Sequence, residues 1–183
     1  MEQILKLMNQ NAVFSTLSDS KKELVFKDAI VQQYKKGETI VFEGDCWPYL
    51  FLLVKGSVNA FKSSMEGRSL VVTTFFKGSI FWGLAFFFED LSMPVSLEAA
   101  EDSELAIWKA DRLVPVLKSE GEASWELSKL MVSNMMRASE ILEEMTFQPV
   151  AGRLAKLLIE TVRDQHDKRS EERRVGKECR SRW

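Results

Sequence analysis

The chain has 183 residues, 45% of them apolar and 28% charged, with a formal net charge of −2, the balance of an ordinary globular protein. One histidine, His166, and two cysteines, Cys46 and Cys179, leave no inventory for histidine-based catalysis, a histidine-rich metal site or a disulfide framework, so neither an enzyme nor a cofactor is expected. No apolar run reaches the ~18 residues of a membrane span, and MEQILKLMNQN lacks the basic start and cleavage site of a signal peptide, so a cytoplasmic chain with no membrane partner is expected.

Residues 2–14 and 18–31 read as short helices, the second capped by Ser18 or Asp19 and striped by Leu24, Val25, Ala29 and Ile30. The period then changes to that of strands. KKGETIVFEGD holds a β-branched run between turns at Gly37 and Gly44-Asp45. YLFLLVKGSVNAFK reads as a two-strand hairpin about Lys55-Gly56. MEGR at 65–68 is a further turn, SLVVTTFF a strand, and VSLEA and ELAIW a second hairpin through Ala100 to Ser103. Seven or eight short strands with glycine turns every 8–12 residues predict a β-sandwich or jelly roll.

After Trp108 the pattern is helical. KADRLVPVLKS is a short helix with Asp111 as its cap, and a long helix covers about 122–146. QPVAGRLAKLLIETVRDQ is another, opened by Pro149. In the long helix Leu127, Met131, Asn134, Ala138, Ile141 and Met145 are spaced 4-3-4-3-4, a heptad seam, and Trp125, Val132 and Met136 form a second apolar stripe. Either the helix is buried on two sides within one domain, or one stripe meets the roll and the other a second copy, with Asn134 setting register and Ala138 permitting close approach.

The order KGETIVFEGD, LFLLVKGSV, KGS, long helix and FQPVAGRLAKLL resembles the CRP/FNR family of bacterial transcription regulators over about residues 10–168. The resemblance implies a mainly β fold with flanking helices: an eight-stranded cyclic-nucleotide-binding-like roll over 1–121, then a dimerisation helix and the start of the next helix over 122–168. It also implies a homodimer. DNA would be reached only through a winged helix-turn-helix that 1–168 does not contain.

In the cyclic-AMP-binding members a Gly-Glu pair holds the ribose and an Arg-Ser pair the phosphate. Counted without gaps from Gly78, these fall on Trp82-Gly83 and Met93-Pro94, and the adenine-reading Thr-Ser pair falls on Ala138-Ser139. No arginine or lysine stands between Lys77 and Lys109, and a buried phosphate without a cation costs several kcal/mol. Cyclic AMP is therefore not the expected effector. Two readings stand. In one, Phe81, Trp82, Gly83, Leu84, Met93, Pro94 and Ser139, with some of Phe86, Phe87 and Phe88, line a pocket for an apolar or aromatic effector. In the other, the aromatics fill the roll and nothing binds.

Cys46 reads as an inert residue, and no cysteine cluster or histidine pair suits iron–sulfur or haem. A cupin-like enzyme would need histidines in the roll, which has none. The alternative function is a stand-alone interaction module of another signalling protein.

The last fifteen residues, RSEERRVGKECRSRW, carry +3 and leave −5 on the preceding 168. Arg169 to Cys179 resembles the in-frame translation of a common sequencing adapter, so 169–183 is read as non-native and the natural chain is expected to continue past Lys168.

Overall fold

The computed structural model describes residues 2–64, 66, 68–147, 151, 152 and 159, with backbone only at 144 and 145. Three short helices open the chain: α1 (Glu2–Gln10), α2 (Ala12–Ser15) and α3 (Asp19–Lys27). The helix predicted over 2–14 breaks at Asn11, whose Oδ1 accepts from Val13 N at 3.0 Å and caps α2. The helix predicted over 18–31 stops at Lys27, because Ile30 already belongs to a strand. Ser18 occupies the cap position of α3 but makes no side-chain cap bond.

Eight strands follow: β1 (Ile30–Tyr34), β2 (Thr39–Val41), β3 (Tyr49–Lys55), β4 (Ser57–Ser63), β5 (Ser69–Phe76), β6 (Ile80–Trp82), β7 (Ser96–Ala99) and β8 (Ser103–Lys109). They form two four-stranded antiparallel sheets, β1-β8-β3-β6 and β2-β7-β4-β5. This is the predicted eight-stranded roll.

The two predicted hairpins at Lys55-Gly56 and Ala100–Ser103 are corrected by this topology. β3 and β4 lie in different sheets, as do β7 and β8, so both turns carry the chain across the sandwich. The reason is burial. Leu50 to Val54 are buried on both faces of β3 and need cover from two sides, whereas β4 alternates buried and open positions. Only β4 and β5 pair as sequential neighbours, in the register Ser57↔Phe76 to Ser63↔Ser69.

The two crossings meet each other. Gly56 has φ 86°, and a Cβ there would lie 2.3 Å from Ser103 Oγ and 2.8 Å from Asp102 O. The buried Ser103 hydroxyl sits 2.7 Å from Glu101 O and 3.1 Å from Ser57 O, tying one corner to the other. Gly56→Ala is expected to cost about 2–4 kcal/mol. Gly44→Ala, at φ 93° with open space around it, should cost only the ~1–2 kcal/mol of a left-handed residue. Equal losses in urea unfolding of the two variants would contradict the steric account.

β3 and β8 divide their side chains between two cores. Phe51, Leu53, Leu105 and Ile107 face the second sheet, and with Val41, Val58, Ala60 and Leu97 form the interior of the roll. The alternating residues face the helices: Trp108 packs on Phe14 with ring centroids 4.9 Å apart, and its Nε1 donates to Val25 O at 2.7 Å. Leu113, Val116 and Leu117 of α4 (Ala110–Ser119) are buried as well. The cap of α4 is Lys109, not Asp111; Asp111 stands in the first turn, where its charge suits the helix dipole, and pairs with Lys109.

α5 (Gly121–Phe147) is the predicted long helix, about 27 residues as one element. It crosses between two compact units, Met1–Lys129 and Leu130–Trp183. Ala151, Gly152 and Ile159 are helical; the rest of the helix predicted from Pro149, and the 169–183 tail, lie outside the described residues. No helix among the described residues is long and apolar enough to cross a membrane.

Candidate functional site

The sequence places the cassette between β6 and β7, and there the backbone leaves no space. Gly83 N donates to Tyr49 O at 3.0 Å, and the chain lies flush on the segment before β3. A Cβ on Gly83 would fall 2.0 Å from Trp47 O. This is the position where the resemblance would put the ribose-binding glutamate, and no side chain fits it without moving backbone.

At the arginine position, Met93 is 4% exposed and belongs to the roll core. Its backbone is held on both sides, with Met93 N donating to Asp45 O at 2.8 Å and Gly44 N donating to Met93 O at 2.9 Å. Pro94 is exposed, and Leu84 and Trp82 are half-buried. The indole of Trp82 meets the Phe87 ring edge-on at 5.8 Å, Phe87 meets the buried Phe86 edge-on at 5.0 Å, and Phe88 is exposed. Ser139 is exposed and belongs to the other compact unit.

Phe81 points into the roll. Its ring stacks on Phe75 of the opposite sheet at 4.3 Å and 13°, and on its cross-strand partner Phe51 at 4.7 Å and 15°. Phe51 in turn meets Trp47 at 5.6 Å, and Trp47 meets Tyr49 edge-on at 5.5 Å. The result is an aromatic column through the interior, with every ring at a favourable stacking or edge distance. Sequence reasoning found Phe81 but missed Trp47, Phe51 and Phe75. Nothing local in YLFLLVK or SLVVTTFF reports which rings meet or the distance between the sheets.

The electrostatics match the packing. Among the described residues the only buried polar side chains are Ser57 and Ser103, so no lysine or arginine faces the roll core. No group of three or more His, Cys, Asp or Glu among them is arranged to hold a metal ion. Burial and then the Glu38 carboxylate push the phenol of Tyr34, which packs against the roll core, above its ordinary range. It stays neutral and donates to Gln32 Oε1 at 2.5 Å.

Open space lies elsewhere. A cleft of about 520 Å³ is bordered by Pro48, Phe86, Phe87, Lys109, Val114 and Pro115. Another of about 340 Å³ is bordered by Ile30, Gln32, Cys46, Trp47, Tyr49 and Ile107. Neither is lined by Phe81, Trp82, Gly83, Leu84, Met93 or Pro94.

The predicted seam residues of α5 divide. Leu127 is 5% exposed and covered by its own chain. Met131, Asn134, Ala138 and Ile141 are exposed, and the side chain of Met145 lies outside the described residues. Trp125, Val132 and Met136 of the second stripe are exposed too.

A two-sheet roll with a loop between its sixth and seventh strands, led into a long helix, is the architecture of the cyclic-nucleotide-binding fold. Residues 31–120 match the cyclic nucleotide-binding domain family, and CRP/FNR regulators are among the chain's homologues and structural neighbours. The chain is 23% identical over 132 residues to the cAMP-activated global transcriptional regulator Vfr of Pseudomonas aeruginosa, covering 70% of this chain and 62% of that protein. It is 23% identical over 157 residues to the cyclic AMP receptor protein of Thermus thermophilus, covering 85% and 72%. A CRP/FNR-family regulator from Eubacterium rectale superposes with a TM-score of 0.68 at 23% identity, over 86% of this chain and 74% of that one. The chain thus spans just under two thirds of the length of the first of these relatives.

Proposed function

We propose that the chain is the effector-sensing and dimerisation module of a CRP/FNR-like transcription regulator, non-enzymatic and cytoplasmic, that does not answer to cyclic AMP. The observation that carries the regulatory reading is the continuity of the roll with α5, whose exposed side chains include Trp125, Met131, Val132, Met135, Met136, Ile141 and Leu142. So many large apolar groups on one helix call for a partner surface, and a two-fold pairing of α5 with its copy supplies it, with Asn134 at the seam as a register-setting polar residue.

Effector occupancy would then act as a bias between two packings of that shared interface, passed to DNA-reading heads. The loss of cyclic AMP sensitivity is supported by the cassette: Gly83 and Met93 occupy the positions at which the relatives' glutamate and arginine are expected, and neither can do their work.

Sedimentation of the chain at tens of micromolar tests the module. Twice the 21.0 kDa chain mass is expected. A monomer at that concentration would remove the dimerisation half and favour an interaction module acting on another protein.

A further inference from the structure

The cleft of about 520 Å³ is bordered along one side by a face of α4. Ala110, Asp111, Val114, Pro115 and Lys118 recur at the three- and four-residue spacing of a single helix face, whereas Leu113, Val116 and Leu117 are buried in the chain's own packing. Along that face the apolar Val114 and Pro115 stand between the charged Asp111 and Lys118. The rest of the apolar lining comes from Pro48 before β3 and from Phe86 and Phe87 after β6.

Four charged side chains border this apolar middle: Glu89, Lys109, Asp111 and Lys118. Lys109 and Asp111 answer each other at 3.0 Å. Glu89 and Lys118 are exposed, open to a ligand, and make no ion pair among the described residues. They belong to opposite ends of the cleft. Glu89 O accepts from Cys46 Sγ at 3.6 Å, and Pro48 O, close by in the chain, accepts from Ala110 N at 2.8 Å, so Glu89 stands toward the start of α4. Lys118 lies eight residues beyond Ala110, about 12 Å along the helix axis.

Pro115 adds an acceptor. Inside the helix it has no N–H for the carbonyl of Asp111, four residues back, so that oxygen is left without its helical bond on the face that borders the cleft. A simple anion would meet Glu89, and a simple cation would meet Lys118. The lining instead suits a ligand with a cation at one end, an anion at the other, apolar groups between them and an N–H to give. An extended peptide of three residues with free termini spans about 10 Å and carries all four features. The volume lies in the range of small-ligand clefts.

We propose that the cleft between α4 and the Phe86-Phe87 turn is a binding site for a short apolar peptide with free termini, its ammonium group at Glu89, its carboxylate at Lys118 and a backbone N–H at Asp111 O. The inference goes beyond the sensor reading and does not depend on the dimer, since every lining residue belongs to the unit Met1–Lys129.

The test is a titration of the full chain, followed by ligand-observed NMR, with the tripeptide Ala-Phe-Ala in four forms: free at both ends, N-acetylated, C-amidated, and blocked at both. The free form should bind saturably. Each block should weaken it about five-fold, the upper range for one exposed ion pair, and both together about twenty-fold. Lys118→Gln should weaken the free form about five-fold and leave the C-amide unchanged; Glu89→Gln should do the same to the free form and leave the N-acetyl form unchanged. Both substitutions are at exposed positions and keep the fold intact. No saturable binding of the free form would overturn the site. Equal binding of the doubly blocked peptide would overturn it as well, since an internal segment of a larger protein would then fit as well as a free peptide. Losses in the two variants that are the same for every form would show that neither side chain meets a terminus, and would overturn the assignment.

Discussion

Phe81→Ala is expected to lower the unfolding free energy by about 3–5 kcal/mol and to create a cavity that benzene can occupy. Phe81 is 4% exposed, and its ring is clamped between Phe75 at 4.3 Å and Phe51 at 4.7 Å. Removing it deletes buried apolar area and two stacking contacts at once, and the sheets on either side cannot collapse without breaking their ladders. Urea unfolding reads the loss. Thermal unfolding with saturating benzene reads the cavity, since a ligand that binds only the folded variant raises its midpoint. Wild type should show no benzene shift. Trp82→Ala, at a half-buried ring touching Phe87, should cost roughly 1–2 kcal/mol. A loss under about 1.5 kcal/mol for Phe81→Ala would mean that the ring borders open space, as it would in an effector pocket.

Ile141→Lys is expected to turn the proposed α5 dimer into a monomer. The side chain is 42% exposed in the chain and lies one heptad from Asn134 on the exposed run that begins at Met131. In a two-fold seam the substitution enters twice. Each copy loses an apolar contact, about 1.5–3 kcal/mol for a fully buried isoleucine, and two ammonium groups are brought toward each other. A combined penalty of about 4 kcal/mol weakens the dimer roughly a thousand-fold. Glu140→Gln, one residue away and off the seam, should leave the dimer intact. Sedimentation equilibrium distinguishes the outcomes, and circular dichroism checks that α5 survives. A dimeric Ile141→Lys would place the contact on another face, and the Trp125, Val132 and Met136 stripe would be the next to test.

What the sequence made legible was periodic or punctuated. The alternation in VSLEA and ELAIW, the glycine turns and the unbroken stretch from Glu122 to Thr146 each report a local property, and β2, β3, β4, β5, β7, β8 and the long helix stand where they were expected, whereas β1 and β6 were not read as strands. What it hid was non-local. A two-residue turn at Lys55-Gly56 signals reversal, but not whether the chain rejoins its own sheet; the answer lay in the two-sided burial of β3. Ile30 fitted a helical stripe as well as a strand, and pairing with Ile107 decided it.

The cassette shows the same division. Sequence spacing put the glutamate and arginine positions of the resemblance on Gly83 and Met93. It could not show that Trp47, 36 positions earlier, places its carbonyl where a side chain on Gly83 would have to begin. Nor could it show that Phe75 and Phe81, six residues apart, come from opposite sheets to stack in the middle. Lining and filling use the same aromatic residues, and only the gap between sheets tells them apart.

Isothermal titration of the chain with cyclic AMP puts the central claim at most direct risk. With the glutamate position closed by backbone and the arginine position buried as methionine, no binding heat is expected up to millimolar nucleotide. A one-to-one isotherm with a micromolar Kd would contradict the account outright, since it would require an anion to sit at a cassette with Gly83 and Met93 in place of the glutamate and arginine.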